Sequence, residues 1–143
     1  MLRETPRGRG FFAGGATALI VGGLMHIVAH LQPPRPGSEA AHDAMVAFSV
    51  TALGLTWNVS DAFEVSSRSF AALSILVGVI DLYVLRALRP LGTALVGLAL
   101  VNAVGAGALA AIAGSRSVAP PLYVYALVAA VFAVAALRSR ARA

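Results

Sequence analysis

Residues 44–57, AMVAFSVTALGLTW, and residues 70–88, FAALSILVGVIDLYVLRAL, decide how many times this chain crosses a membrane. The second run is long enough to traverse a hydrocarbon core and is broken only by Asp81 and Arg86, so it reads as a span. The first run has 14 residues, a length that suits an interfacial or re-entrant piece better than a crossing. Charge placement gives the same answer. With four crossings the basic N-terminus, the Arg86–Arg89 turn and the arginine-rich C-terminus all face the cytoplasm, whereas five would separate the two ends. The expected fold is all-α: an integral membrane bundle of four transmembrane helices, with residues 32–66 mostly on the outer side as an interfacial or re-entrant segment. A five-helix arrangement, with residues 44–65 as a true span, is the second reading.

Working outward, the whole chain has the same character. Its 143 residues are 59% hydrophobic and 12% charged, and its mean hydropathy is +0.83, far from an average soluble domain. One bundle over residues 1–143 uses the length and leaves no room for a separate soluble domain. The net charge of +5 comes mostly from Arg3, Arg7 and Arg9 at one end and Arg138, Arg140 and Arg142 at the other. These read as topology signals against anionic lipid, in a multi-pass protein of the inner (plasma) membrane with both termini cytoplasmic. No nucleic-acid partner is implied. With no cysteine, disulfides, iron-sulfur clusters and thiol catalysis are excluded.

The first span is expected from about Phe11 to Leu31, too long for a signal peptide and without a clean cleavage site after it. Pro33, Pro34, Pro36 and Gly37 stop it. Gly14, Ala18 and Gly22 repeat at four-residue spacing, as do Ala99, Ala103, Gly107 and Ala111 in a third span from about Leu91 to Ala113. Such stripes let helices approach closely in lipid, within one chain or in a homo-oligomer. Pro120 and Pro121 suit the first turn of a last helix ending near Leu137, and Tyr123 and Tyr125 suit an aromatic interface belt.

Candidate chemistry gathers around residues 56–64, TWNVSDAFE, which hold two of the chain's six acidic residues. If this stretch is helical, Trp57, Asp61 and Glu64 share one face, extended by Arg68. A carboxylic acid kept protonated in a dry pocket can donate to an alkene, epoxide or carbonyl. Asp61 or Glu64 would be that donor and His26 would accept a proton elsewhere. Trp57, Phe63 and Phe48 would stabilise developing positive charge through their ring faces, with Asn58 and His30 completing the substrate-binding set. Such chemistry needs no metal and no organic cofactor, in keeping with a chain that has no phosphate loop or dinucleotide fingerprint. The expected function is acid-base isomerisation or cyclisation of a hydrophobic, lipid-like small molecule among the membrane lipids. The alternative is a non-catalytic structural or transport-related membrane subunit. The plainer reading of the same charges is local: Glu64 and Arg68 have the spacing of a helix-surface ion pair, and Asp61 simply faces water. His26 and His30, one turn apart, are also spaced like metal or haem ligands, but two ligands are not a site and no metal is expected. Asp81, the deepest carboxylate, would pair with Asn102 or serve a proton relay.

Gly54-Leu55-Thr56-Trp57-Asn58-Val59-Ser60 followed by an acidic residue, together with Pro120-Pro121-Leu122-Tyr123 before an apolar helix, resembles a family of small uncharacterised bacterial membrane proteins. That likeness implies four spans and brings no activity. In the family a histidine commonly follows the serine, whereas here Asp61 does. Gly23-Leu24-Met25-His26-Ile27-Val28-Ala29-His30 is similar to the helix of membrane-bound sterol isomerases that carries a histidine and, one turn later, a glutamate. This implies intramembrane proton transfer at His26, with His30 standing where the acid is expected.

Overall fold

The structure is a computed structural model that describes residues 8–33, 35–87, 92–115 and 119–140. The basic tail with Arg3 and Arg7, the Arg89-Pro90 turn and Arg142 lie outside the described residues. Helix α1 spans Arg9–His30 and a short α2 spans Glu39–Ala47; strands β1, Ser49–Ala52, and β2, Leu55–Asn58, follow, and then α3, Val59–Ala87, α4, Gly92–Ser115, and α5, Ala119–Arg140. The four long helices are each long and apolar enough to cross a membrane. They form the expected helical bundle of a multi-pass membrane protein.

Residues 44–57 do not span. They form the end of α2 and an antiparallel hairpin in which Ser49 faces Asn58, Val50 faces Trp57, Thr51 faces Thr56 and Ala52 faces Leu55. Leu53 and Gly54 make the turn at φ 53° and 76°, the two positive values that a two-residue type I′ loop requires and that glycine adopts without strain. An open two-stranded ribbon leaves edge amides that lipid cannot satisfy, so this segment belongs outside the hydrocarbon. The five-helix arrangement therefore fails. Helix α1 ends at His30, ahead of Pro33, Pro36 and Gly37 as expected, with Pro34 outside the described residues, and the second span is longer at its start than hydropathy indicated, because α3 runs unbroken from Val59 through the polar residues 60–69.

Helix α1 packs on α3 and α5, and α5 packs on α4. Its inward face carries Phe12, Gly15, Ala16, Leu19 and Gly23. The tight contacts are one residue out of phase with the Gly14, Ala18 and Gly22 stripe. A Cβ on Gly23 would lie 2.6 Å from Ile75 Cγ1 and 2.7 Å from the Ala71 carbonyl; one on Gly78 would lie 2.5 Å from the Ala16 carbonyl. At Gly14 and Gly22 it would meet only Val131 at 4.0 Å and Val124 at 3.5 Å, on α5. Against α5, Phe12 sets its ring edge-on to Phe132, with centroids 5.2 Å apart, a pairing worth about 0.5–1.5 kcal/mol beyond its burial. Gly8 abuts Ser139 and Ala135, which brings the start of α1 and the end of α5 to the same end of the bundle. On α4 the buried line is Leu95, Ala99, Ala106, Ala110 and Ala113, while Ala111 is exposed. Four-residue steps turn about 40° too far each time, so a strict stripe of fours winds off the contact.

Candidate functional site

Helix α3 begins where its side chains supply the hydrogen bonds that its first amides lack. Asn58 occupies the N-cap: its Oδ1 accepts from the Asp61 amide at 2.7 Å, and its Nδ2 donates to Asp61 Oδ2 at 2.8 Å. This reciprocal arrangement is a variant of the capping box, and the carboxylate also suits the positive end of the helix dipole. Glu64 and Arg68 pair at 2.7 Å with both side chains half exposed. Trp57 lies in β2, opposite Val50, so it shares no helical face with Asp61 and Glu64, and the expected stripe is broken at its first member. Phe48 caps α2 and is exposed. Trp57, Asn58, Asp61, Glu64 and Phe48 thus sit on the hairpin and the exposed first turns of α3.

The polar groups that meet inside the bundle are different ones. His26 Nε2 lies 2.6 Å and His30 Nε2 2.7 Å from the same Ser67 Oγ. The two imidazoles come from successive turns of α1, set edge to face at 5.0 Å between centroids, and α3 presents Ser67 to both. A single hydroxyl has one hydrogen, so it donates to one ring and accepts the N–H of the other. The cluster can hold or pass a proton with a small rearrangement of hydrogen bonds. Among the described residues no third histidine or carboxylate joins the pair as a metal ligand.

This cluster forms part of the wall of a partly open cleft of about 550 Å³ between α1, α3 and α5, a size that suits a small-molecule site. Gly22, Gly23 and His26 line it from α1, Phe63, Ser67 and Phe70 from α3, and Val124 and Tyr125 from α5. Phe70 meets Tyr125 edge to face at 5.4 Å. Ser74 donates to the Phe70 carbonyl at 3.0 Å, which leaves the Tyr125 hydroxyl to donate to Ser74 Oγ at 3.2 Å. The rim residues Met25, Phe63 and Val124 are exposed on the outside of spanning helices, so the cleft can be entered sideways from lipid. A second groove, about 570 Å³ along Val21, Leu24 and Val28, has no histidine on its wall.

Of the residues singled out in the sequence, His26 and Phe63 line the cleft and His30 joins it through Ser67; the other five do not. Ser67 and Tyr125 were missed as site residues. Ser67 follows the Glu64 stretch by one turn and looks like one polar residue among several at residues 66–69. Only the packing of α1 against α3 reveals its place. No protein-family model matches the chain, and no curated relative or solved structure is significantly similar to it.

Proposed function

We propose that this is a small bacterial inner-membrane enzyme, with both termini cytoplasmic, that isomerises or cyclises a lipid-like substrate by acid-base chemistry without a cofactor. The observation that carries this reading is an apolar, laterally open cleft with one proton-holding cluster, His26, Ser67 and His30, on its wall. A hydrophobic molecule would lie against Phe63 and Phe70, whose ring faces favour positive charge as a double bond is protonated. His26, the ring on the cleft wall, would as an imidazolium give a proton to one carbon and, once neutral, take a proton from a neighbouring carbon. The double bond moves and the proton count is unchanged, while Ser67, itself held by His30, keeps the His26 ring in place. This reading transfers the donor role from Asp61 and Glu64, which are engaged at the exposed start of α3, to His26, which the packing brings to the cleft.

The test is exchange. Purified protein is incubated in D₂O with a lipid extract of its host, and the extract is analysed by mass spectrometry for a species that gains deuterium. His26→Gln and Ser67→Ala should both abolish that gain, and Asp61→Asn should leave it. If no lipid gains deuterium over a protein-free control, the catalytic reading is wrong. The second reading, a non-catalytic packing subunit, is favoured by α4, where a Cβ at Gly97, Gly105 or Gly107 would meet no atom within 4 Å, leaving a smooth face open to a neighbouring helix.

A further inference from the structure

Among the described residues three polar side chains are buried outright, Ser60, Ser74 and Asp81. All three lie on α3, and with Ser67 they recur every seven residues. Seven residues come within about 20° of two full turns, so Ser60, Ser67, Ser74 and Asp81 form one line down the inward face of the helix. From Ser67 onward each member meets a polar group from a different helix. Ser67 holds His26 and His30 of α1, Ser74 holds Tyr125 of α5, and Asp81 faces the Asn102 side chain of α4. One turn beyond Asp81, Arg9 of α1 donates to the Leu85 carbonyl.

Asp81 sets the character of the line. It is 5% exposed, and its Oδ2 is buried with no hydrogen-bond partner among the described residues. A carboxyl group at membrane depth is costly to keep ionised, and such groups mark proton and ion routes. The groups facing it from the elements packed around it are Asn102 on α4 and, one turn away, Arg9 on α1. The nearest ionisable group of α5 on this line is Tyr125, since Arg138 lies over the Phe11 ring. On its own helix Arg86 is exposed.

We propose that this line is a transmembrane proton path, with Asp81 as the carboxyl group that takes up and releases the transported proton. A proton enters from outer water at the His26, Ser67 and His30 cluster, passes Ser74 and Tyr125, binds the free oxygen of Asp81, and leaves to water at the Arg9 end. No electron moves and no bond other than those to the proton is made or broken. Successive members are about 10.5 Å apart along the axis, too far for direct transfer, so short chains of water must bridge them. The first interval is already open, because Ser67 and Tyr125 line the same cleft. The second is closed, because Ile20 and the Ala16 carbonyl press on Gly78. Conduction is therefore gated at Gly78, where α1 and α3 must part slightly to admit water.

The path does not rest on the lipid chemistry, because Asp81 lies outside the cleft lining. The test uses the full chain reconstituted in phosphatidylcholine and phosphatidylglycerol vesicles with a trapped pH-sensitive dye and a potassium gradient clamped by valinomycin. Wild-type vesicles should change internal pH several-fold faster than protein-free vesicles, and Asp81→Asn, which keeps the shape and the Asn102 contact, should return the rate to the protein-free value. Tyr125→Phe and Ser74→Ala, which each remove one hydroxyl from the middle of the path, should slow it. A wild-type rate equal to that of protein-free vesicles overturns the proposal, and so does an Asp81→Asn rate equal to wild type. Should Asp81→Asn fail to fold, unchanged flux in the combined Tyr125→Phe, Ser74→Ala variant overturns it equally.

Discussion

Placing one methyl group at two glycines separates helix packing from helix propensity. At Gly78 an added Cβ would stand 2.5 Å from the Ala16 carbonyl and 2.7 Å from Ile20 Cγ1, well inside the 3.5–4.0 Å of an ordinary carbon contact. Both α1 and α3 backbones are fixed there by the reciprocal notch at Gly23, so the pair must separate. Overpacking of this kind costs about 1–3 kcal/mol, offset by about 1 kcal/mol from the better helix propensity of alanine. Gly78→Ala should therefore lose between nothing and about 2 kcal/mol. At Gly97, where a Cβ meets nothing within 4 Å, the same change carries only the propensity term and should be neutral or stabilising by up to about 1 kcal/mol. The difference between the two variants isolates the packing term, about 1–3 kcal/mol. Reversible SDS unfolding in mixed micelles, followed by far-UV circular dichroism, measures it. Equal midpoints for Gly78→Ala and Gly97→Ala would refute the notch and with it the phase of α1 on α3.

Three further outcomes follow from the geometry. Gly23→Ala should behave like Gly78→Ala, and Gly14→Ala like Gly97→Ala, in the same titration; the reverse order would restore the Gly14, Ala18 and Gly22 stripe as the tight contact. Asn58→Ala removes the N-cap of α3 and should cost about 1 kcal/mol, whereas Glu64→Gln, breaking an exposed pair with side chains 59% and 50% accessible, should cost no more than ~0.5 kcal/mol; a larger loss from Glu64→Gln would mean that the pair is engaged beyond α3. Single cysteines at Leu53 and at Arg140 should react with a membrane-impermeant maleimide from opposite sides of the membrane, and labelling of both from one side would exclude four crossings.

The sequence by itself determined the number of spans and much of the local chemistry on α3. A helix in lipid satisfies its own backbone, so a long apolar run is sufficient cause for a span, and 14 residues containing a Leu-Gly turn are not. The Glu64 to Arg68 pair was legible for the same reason: its partners are one turn apart and need no other element. What the sequence left open was the rotation of each helix about its axis. Lipid is as apolar as the bundle interior, so Gly14 and Gly15, or Gly22 and Gly23, look equivalent until a partner is in place. Trp57 shares a face with Asp61 and Glu64 only if the whole of residues 56–64 is helical, and the turn at Leu53 and Gly54 pairs it in a strand instead. Only the packing of α1 on α3 carried Ser67 to His26 and His30, and only closure of the bundle set Asn102 against Asp81. Those contacts join residues far apart in the chain, and no local preference encodes them.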